Sequence, residues 1–219
     1  MTASAAAATP AVPRTLLLAC GALAHEIVAL KTLHQWQHLD VQCLPAELHN
    51  RPERIPEAVR AQIAAHRDRY PRLFVVYADC GTGGALDRVL DEEHVERIGG
   101  AHCYEFYAGS AAFARLHDDA PGTFYLTDFL LRHFDPLVIR ALGLDRHPEL
   151  RDQYFGHYTR LVFLAQRPPT EETVVQARAA ADRLGLALEV RNTGYGELER
   201  SLTALAWHPT PRAEPAWRP

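Results

Sequence analysis

Residues 73–93, LFVVYADCGTGGALDRVLDEE, decide the fold. LFVVYAD (73–79) is a short continuous apolar run of the kind a strand buried on both faces requires. It runs into the glycine-rich turn CGTGG (80–84), and residues 85–93 then carry helical periodicity. The same strand–turn–helix grammar stands upstream. TLLLAC (15–20) stops at Gly21, and residues 22–36 are helical in pattern. LDVQCL (39–44) reads as a strand closed by Pro45. After the polar loop AELHNRPER, residues 55–70 form a helix that tolerates Pro56 in its first turn.

Downstream, residues 95–98 and 102–106 read as a short strand region broken by Gly99 and Gly100, and 110–118 as a helix. Further strands are expected at 122–127, 160–165 and 186–190, and helices within 128–144 and at 171–184 and 197–206. Strands alternating with helices predict an α/β fold, a mostly parallel open sheet with helices on both faces. One domain over 15–206 and a division near 122 into two Rossmann-like lobes are both compatible with the pattern. Residues 1–14, Ala-rich and without a signal-peptide pattern, and the Pro-rich 207–219 read as loose tails.

The charge balance excludes partners more than it selects them. The formal net charge is -4 with both signs interspersed, so nucleic acid is not expected. No run approaches the ~18 apolar residues of a membrane helix, so no membrane is expected and the cytoplasm is the expected compartment. There the four cysteines are expected as thiols, and clustered ones among them as metal-binding or catalytic.

Position singles out three of them. Cys20 and Cys80 end the first strand and the LFVVYAD strand, each followed by glycine, and Cys103 follows the Gly-Gly break. In an open parallel sheet the carboxyl ends of the strands share one edge, where ligands bind at the topological switch point. Three thiolates with an open fourth position suit zinc first and iron next. His25, one turn into the first helix, is the candidate further ligand, with His102 also in reach. His49, in the loop after the second strand, and Glu105, placed on the Cys103 strand face, are the acid–base candidates. Cys43, inside its strand, reads as packing. A thiol-redox role is also open, although no CxxC is present.

The loop Gly81-Thr82-Gly83-Gly84 with Arg51 is the candidate cofactor or anion site, because glycine-rich turns before helices offer backbone N–H groups. The spacing is neither GxGxxG nor a Walker loop, and a tight turn explains the same glycines. Arg54 reads as a second loop cation, Thr127-Asp128 as a helix cap, and Tyr195 as a turn residue between glycines.

Six segments carry a resemblance: LLACGALAHEI (17–27), CLPAELHNRPERIP (43–56), YADCGTGGALDRVL (77–90), HCYEFYAG (102–109), PGTFYLTDFL (121–130) and LGLDRHPELRDQYFGHYTRLVFLAQ (142–166). They resemble an uncharacterised bacterial and archaeal family catalogued as a domain of unknown function, over roughly residues 16–202. The resemblance implies no established activity. It implies a context, since relatives are often found beside corrinoid-dependent methyltransferases of the trimethylamine or betaine type. The resulting expectation is a zinc or iron protein acting in one-carbon or methyl-transfer metabolism, on a small-molecule or thiol/methyl-donor substrate, beside a corrinoid methyltransferase system. The usual corrinoid signature DxHxxG is not in the chain. The alternatives are a module binding a small anion and one that only docks on a protein.

Overall fold

The computed structural model describes residues 12–207, so both predicted tails lie mostly outside the described residues. Two parallel sheets form. In the first, β1 (Thr15–Cys20), β2 (Leu39–Leu44), β3 (Arg72–Val76) and β4 (Glu96–Arg97) lie in the order β2-β1-β3-β4. In the second, β5 (Thr123–Thr127), β6 (Arg160–Ala165) and β7 (Ala187–Asn192) lie in sequence order. Every paired neighbour is parallel, so the chain is an α/β protein with Rossmann-like open sheets flanked by helices.

Why these strands sit centrally follows from their composition. All six residues of β1 are buried, as are the last five of β6, because helices cover both faces. Between β1 and β2 runs α1 (Ala24–Leu33), between β2 and β3 runs α2 (Ile55–His66), and α3 (Ala85–Glu93) leads to β4. In the second half α6 (Asp128–Arg132), a π-helical turn (Asp135–Arg140) and α7 (Leu150–Phe155) separate β5 from β6, and α8 (Glu171–Leu184) precedes β7. Thr170 caps α8 in a reciprocal capping box with Thr173.

The strand predicted at 102–106 is instead α4 (Cys103–Ala108), followed by α5 (Ser110–Asp119). Its aromatic residues favour strands locally, but Phe106 and Tyr107 are buried and Cys103 packs on the same core, the i, i+3, i+4 spacing of a helix face. The last helix, α9 (Gly196–Trp207), follows the second sheet yet packs into the first core. Leu198 and Leu202, fully buried, join Leu17, Val75 and Phe106 there. Gly196 makes this docking possible: it adopts φ +52, and a Cβ there would stand 2.3 Å from the Tyr107 carbonyl oxygen.

Candidate functional site

The first sheet reverses strand order between β1 and β3, and the cysteines lie where that reversal opens at the carboxyl edge. Cys20 is the last residue of β1. Gly21 then turns the chain so tightly that a Cβ would meet the Leu44 carbonyl oxygen at 2.7 Å. β3 ends at Val76, and Tyr77, Ala78 and Asp79 carry the chain outward, so Cys80 sits in the loop beyond the strand. It adopts the left-handed φ of +50, a conformation costing a non-glycine residue roughly 1–2 kcal/mol.

Two backbone bonds hold that conformation. Asp79 N–H donates to Gly100 O at 3.0 Å and Cys80 N–H to Ala101 O at 2.9 Å, clipping the loop against the segment that enters α4. The clip brings Cys80 Sγ to 3.3 Å from Cys103 Sγ. The Cys103 thiol donates to Cys80, and the Cys103 backbone N–H points at the same sulfur. Together they outweigh burial and push the Cys80 pKa down. Donating its proton while buried pushes the Cys103 pKa up. Cys20 is different. Burial first, then the nearby Cys80, raises its pKa to about 11, and the Tyr77 hydroxyl lies against it. That hydroxyl is buried with no well-formed hydrogen bond.

The expected zinc or iron centre is not formed. Among the described residues no three His, Cys, Asp or Glu side chains are disposed to hold a metal ion. Cys80 and Cys103 turn their sulfurs on each other, and Cys20, 3% exposed, completes the first core. His25 stands elsewhere, lining a cleft with Glu26, Asp128 and Arg132. The metal-dependent methyl transfer expected of that centre falls with it. Cys43, half-buried, packs against the first core.

The glycine loop carries its own anion. Asp79 accepts from Thr82 Oγ1 at 2.6 Å, from Gly84 N–H at 2.8 Å and from Gly83 N–H at 3.2 Å. These bonds hold the Asp79 carboxyl below the usual carboxylate range and occupy the N–H groups expected to receive a phosphate. Arg51 is exposed at the end of a 3-10 turn (Ala46–Asn50). Glu105 does not share a strand face with Cys103. Its Oε2 accepts from Ala101 N–H at 2.8 Å, tying down the approach to α4. Burial works to raise its pKa, but hydrogen bonds from Ser110 and from the Ala101 and His102 amides prevail and lower it. His49 lies on the 3-10 turn near His102. Crowding by neighbouring atoms and then the charge of His102 lower its pKa, although the residue keeps much of its surface in solvent.

Residues 43–202 match a family model described as a protein of unknown function, DUF1638. The chain belongs to the DUF1638 family. The match spans Cys80 and Cys103 and begins after Cys20 and His25. Comparison with curated proteins and with solved structures finds no match. No helix among the described residues is long and apolar enough to cross a membrane.

Sequence reasoning missed the aromatic frame of the thiols. Tyr77 and Tyr107 are buried beside them, and Tyr104, next to Cys103, is raised in pKa by burial and then by the Cys103 and Cys80 charges. Periodicity could have placed Tyr107 on the buried face only once 103–108 was read as a helix.

Proposed function

We propose that this member of DUF1638 is a dithiol–disulfide exchange protein in which Cys80 attacks and Cys103 resolves. The observation that carries it is the 3.3 Å separation of the two sulfurs, with Cys80 pushed toward the thiolate. A disulfide needs ~2.05 Å between sulfurs, so closure requires a displacement of little more than an ångström. In the exchange, the Cys80 thiolate attacks one sulfur of a partner disulfide and expels the other as a thiolate, which takes up a proton. Cys103 then loses its proton and attacks Cys80 Sγ, expelling the second partner thiol. The partner gains two electrons and two protons, and the protein gains one disulfide. The fold holds both sulfurs through backbone bonds without a CxxC turn.

Equilibration in glutathione buffers of graded ratio, acid quenching and peptide mass mapping test the proposal. The expected product is a single Cys80–Cys103 disulfide, with a midpoint potential between roughly -270 and -180 mV, the span from thioredoxin to protein disulfide isomerase. A pair that stays reduced across that span, or that oxidises only as separate glutathione adducts, would overturn it.

A further inference from the structure

A second site lies away from the thiols, in a cleft of about 260 Å³ that joins the two halves of the chain. His25 and Glu26 reach it from α1, Asp128 and Arg132 from α6, Arg167 from the loop after β6, and Tyr195 from the loop after β7. The second sheet therefore turns the carboxyl ends of all three of its strands toward α1.

Glu26 is the unusual member. It is 5% exposed, and its Oε2 is buried with no hydrogen-bond partner. Such an atom costs stability unless something fills its place. Its nearest cation, Arg132 Nη2, stands 3.8 Å from Oε1. Arg167 Nε stands 3.6 Å from Asp128 Oδ2. Both are longer than the ~2.7–2.9 Å of a closed charge-assisted bond. The Asp128 amide is meanwhile fixed by Gln166 Oε1 at 2.8 Å, which orients the start of α6 toward the cleft. Arg132 Nε is held by the Asp128 carbonyl oxygen at 3.2 Å, so the cleft presents the remaining N–H groups of two arginines, the Asp128 carboxylate and one Glu26 oxygen without a donor to the same small volume.

We infer that this cleft binds a free α-amino acid, its carboxylate between Arg132 and Arg167 and its ammonium on Asp128 and Glu26. A simple anion would satisfy the arginines and leave Glu26 Oε2 without a donor. A simple cation would do the reverse. A single ligand carrying both signs a few ångströms apart serves all four groups at once, and the remaining volume takes a side chain.

Thermal shift and titration calorimetry on the full chain test this, using the twenty standard amino acids at about 10 mM, a level that reveals millimolar affinities. For the best binder, the matching deaminated acid and decarboxylated amine follow. One amino acid or a narrow class is expected to stabilise the protein, with both half-molecules at least about tenfold weaker. Arg167→Gln, at a well-exposed position, is expected to weaken binding about tenfold without changing the melting point of the free protein. Cys80→Ala is expected to bind as the wild type does, separating this site from the thiols. No binding by any of the twenty, or a half-molecule binding as tightly as the whole, would overturn the inference.

Discussion

Gly196→Ala is expected to strike both stability and thiol chemistry, through a contact far from either sulfur in sequence. The new Cβ would stand 2.3 Å from the Tyr107 carbonyl oxygen and 2.5 Å from that of Phe106, both backbone atoms of α4. Backbone cannot rotate away as a side-chain tip can, so α9 and α4 must separate. Overpacking of this kind costs ~1–3 kcal/mol, and an alanine at φ +52 adds about 1 kcal/mol of left-handed strain. The sum is roughly 2–4 kcal/mol, a large share of the ~5–15 kcal/mol that holds a typical domain. Two other glycines divide the total. Gly83 has φ +60 with open space around it, so Gly83→Ala reports strain alone, ~1 kcal/mol. Gly99 has open space and no left-handed φ, and its alanine variant should lie within ~0.5 kcal/mol of the wild type. Urea unfolding measures all three, with an unchanged slope expected. Because α4 begins at Cys103, its displacement also opens the 3.3 Å sulfur contact. The alkylation rate of Cys80 should then rise at a higher pH than in the wild type. A Gly196→Ala protein within ~0.5 kcal/mol of the wild type would refute the close packing of the two helices.

Three further outcomes are expected. Brief iodoacetamide treatment near neutral pH should label Cys80 before Cys20, since burial pushes the Cys20 pKa up to about 11; mass mapping that shows Cys20 labelled first would contradict the site geometry. Glu26→Gln should gain stability over the wild type as pH rises. Burial raises the folded Glu26 pKa above the unfolded ~4.3, so its contribution is fully present below ~4.3 and is lost up to the folded pKa, by about 1.4 kcal/mol per unit; urea melts between pH 4 and 8 measure this, and parallel curves would exclude it. Leu202→Ala, at a fully buried position, should cost ~2–5 kcal/mol in chemical unfolding, because it empties a place in the first core.

How much of this was legible depended on whether the signal was local. The runs TLLLAC and RLVFLA are strands buried on both faces, and continuous apolar runs say so; of LFVVYAD only the first four residues belong to β3, and the buried Tyr77 and Ala78 prolong the apolar run past the strand's end. Residues 102–106 misled because Tyr and Phe favour strands, and only packing against α9 reveals their helical face. That Cys80 lies at the carboxyl edge of the first sheet followed from parallel strands sharing an edge, but its meeting with Cys103 depends on the backbone clip between residues 79–80 and 100–101 and on a helix at 103, neither of which the sequence pattern showed. A metal site needs finer placement, and there the expectation failed: Cys20 turned into the core and the remaining two sulfurs faced each other. The Asp79 bonds to its own loop were equally invisible, since loop conformation decides them. Glu26 did leave a signal that was passed over. Leu23, Ile27 and Leu30 mark the buried stripe of the first helix, and Glu26 stands at i+3 from Leu23 and i-4 from Leu30. A carboxylate on an apolar stripe asks for a partner.

The return of α9 sets an order of events during synthesis. β1 and β3 leave the ribosome early, yet Leu198, Leu202 and Leu205, which close their core, are among the last described residues to appear. Until they do, the apolar groove on the first sheet stands open for as long as the second sheet takes to be made. The nascent chain must guard that groove, by collapse or with a chaperone, and a chain terminated near residue 195 would carry the strands of both sheets without the helix that seals the first core.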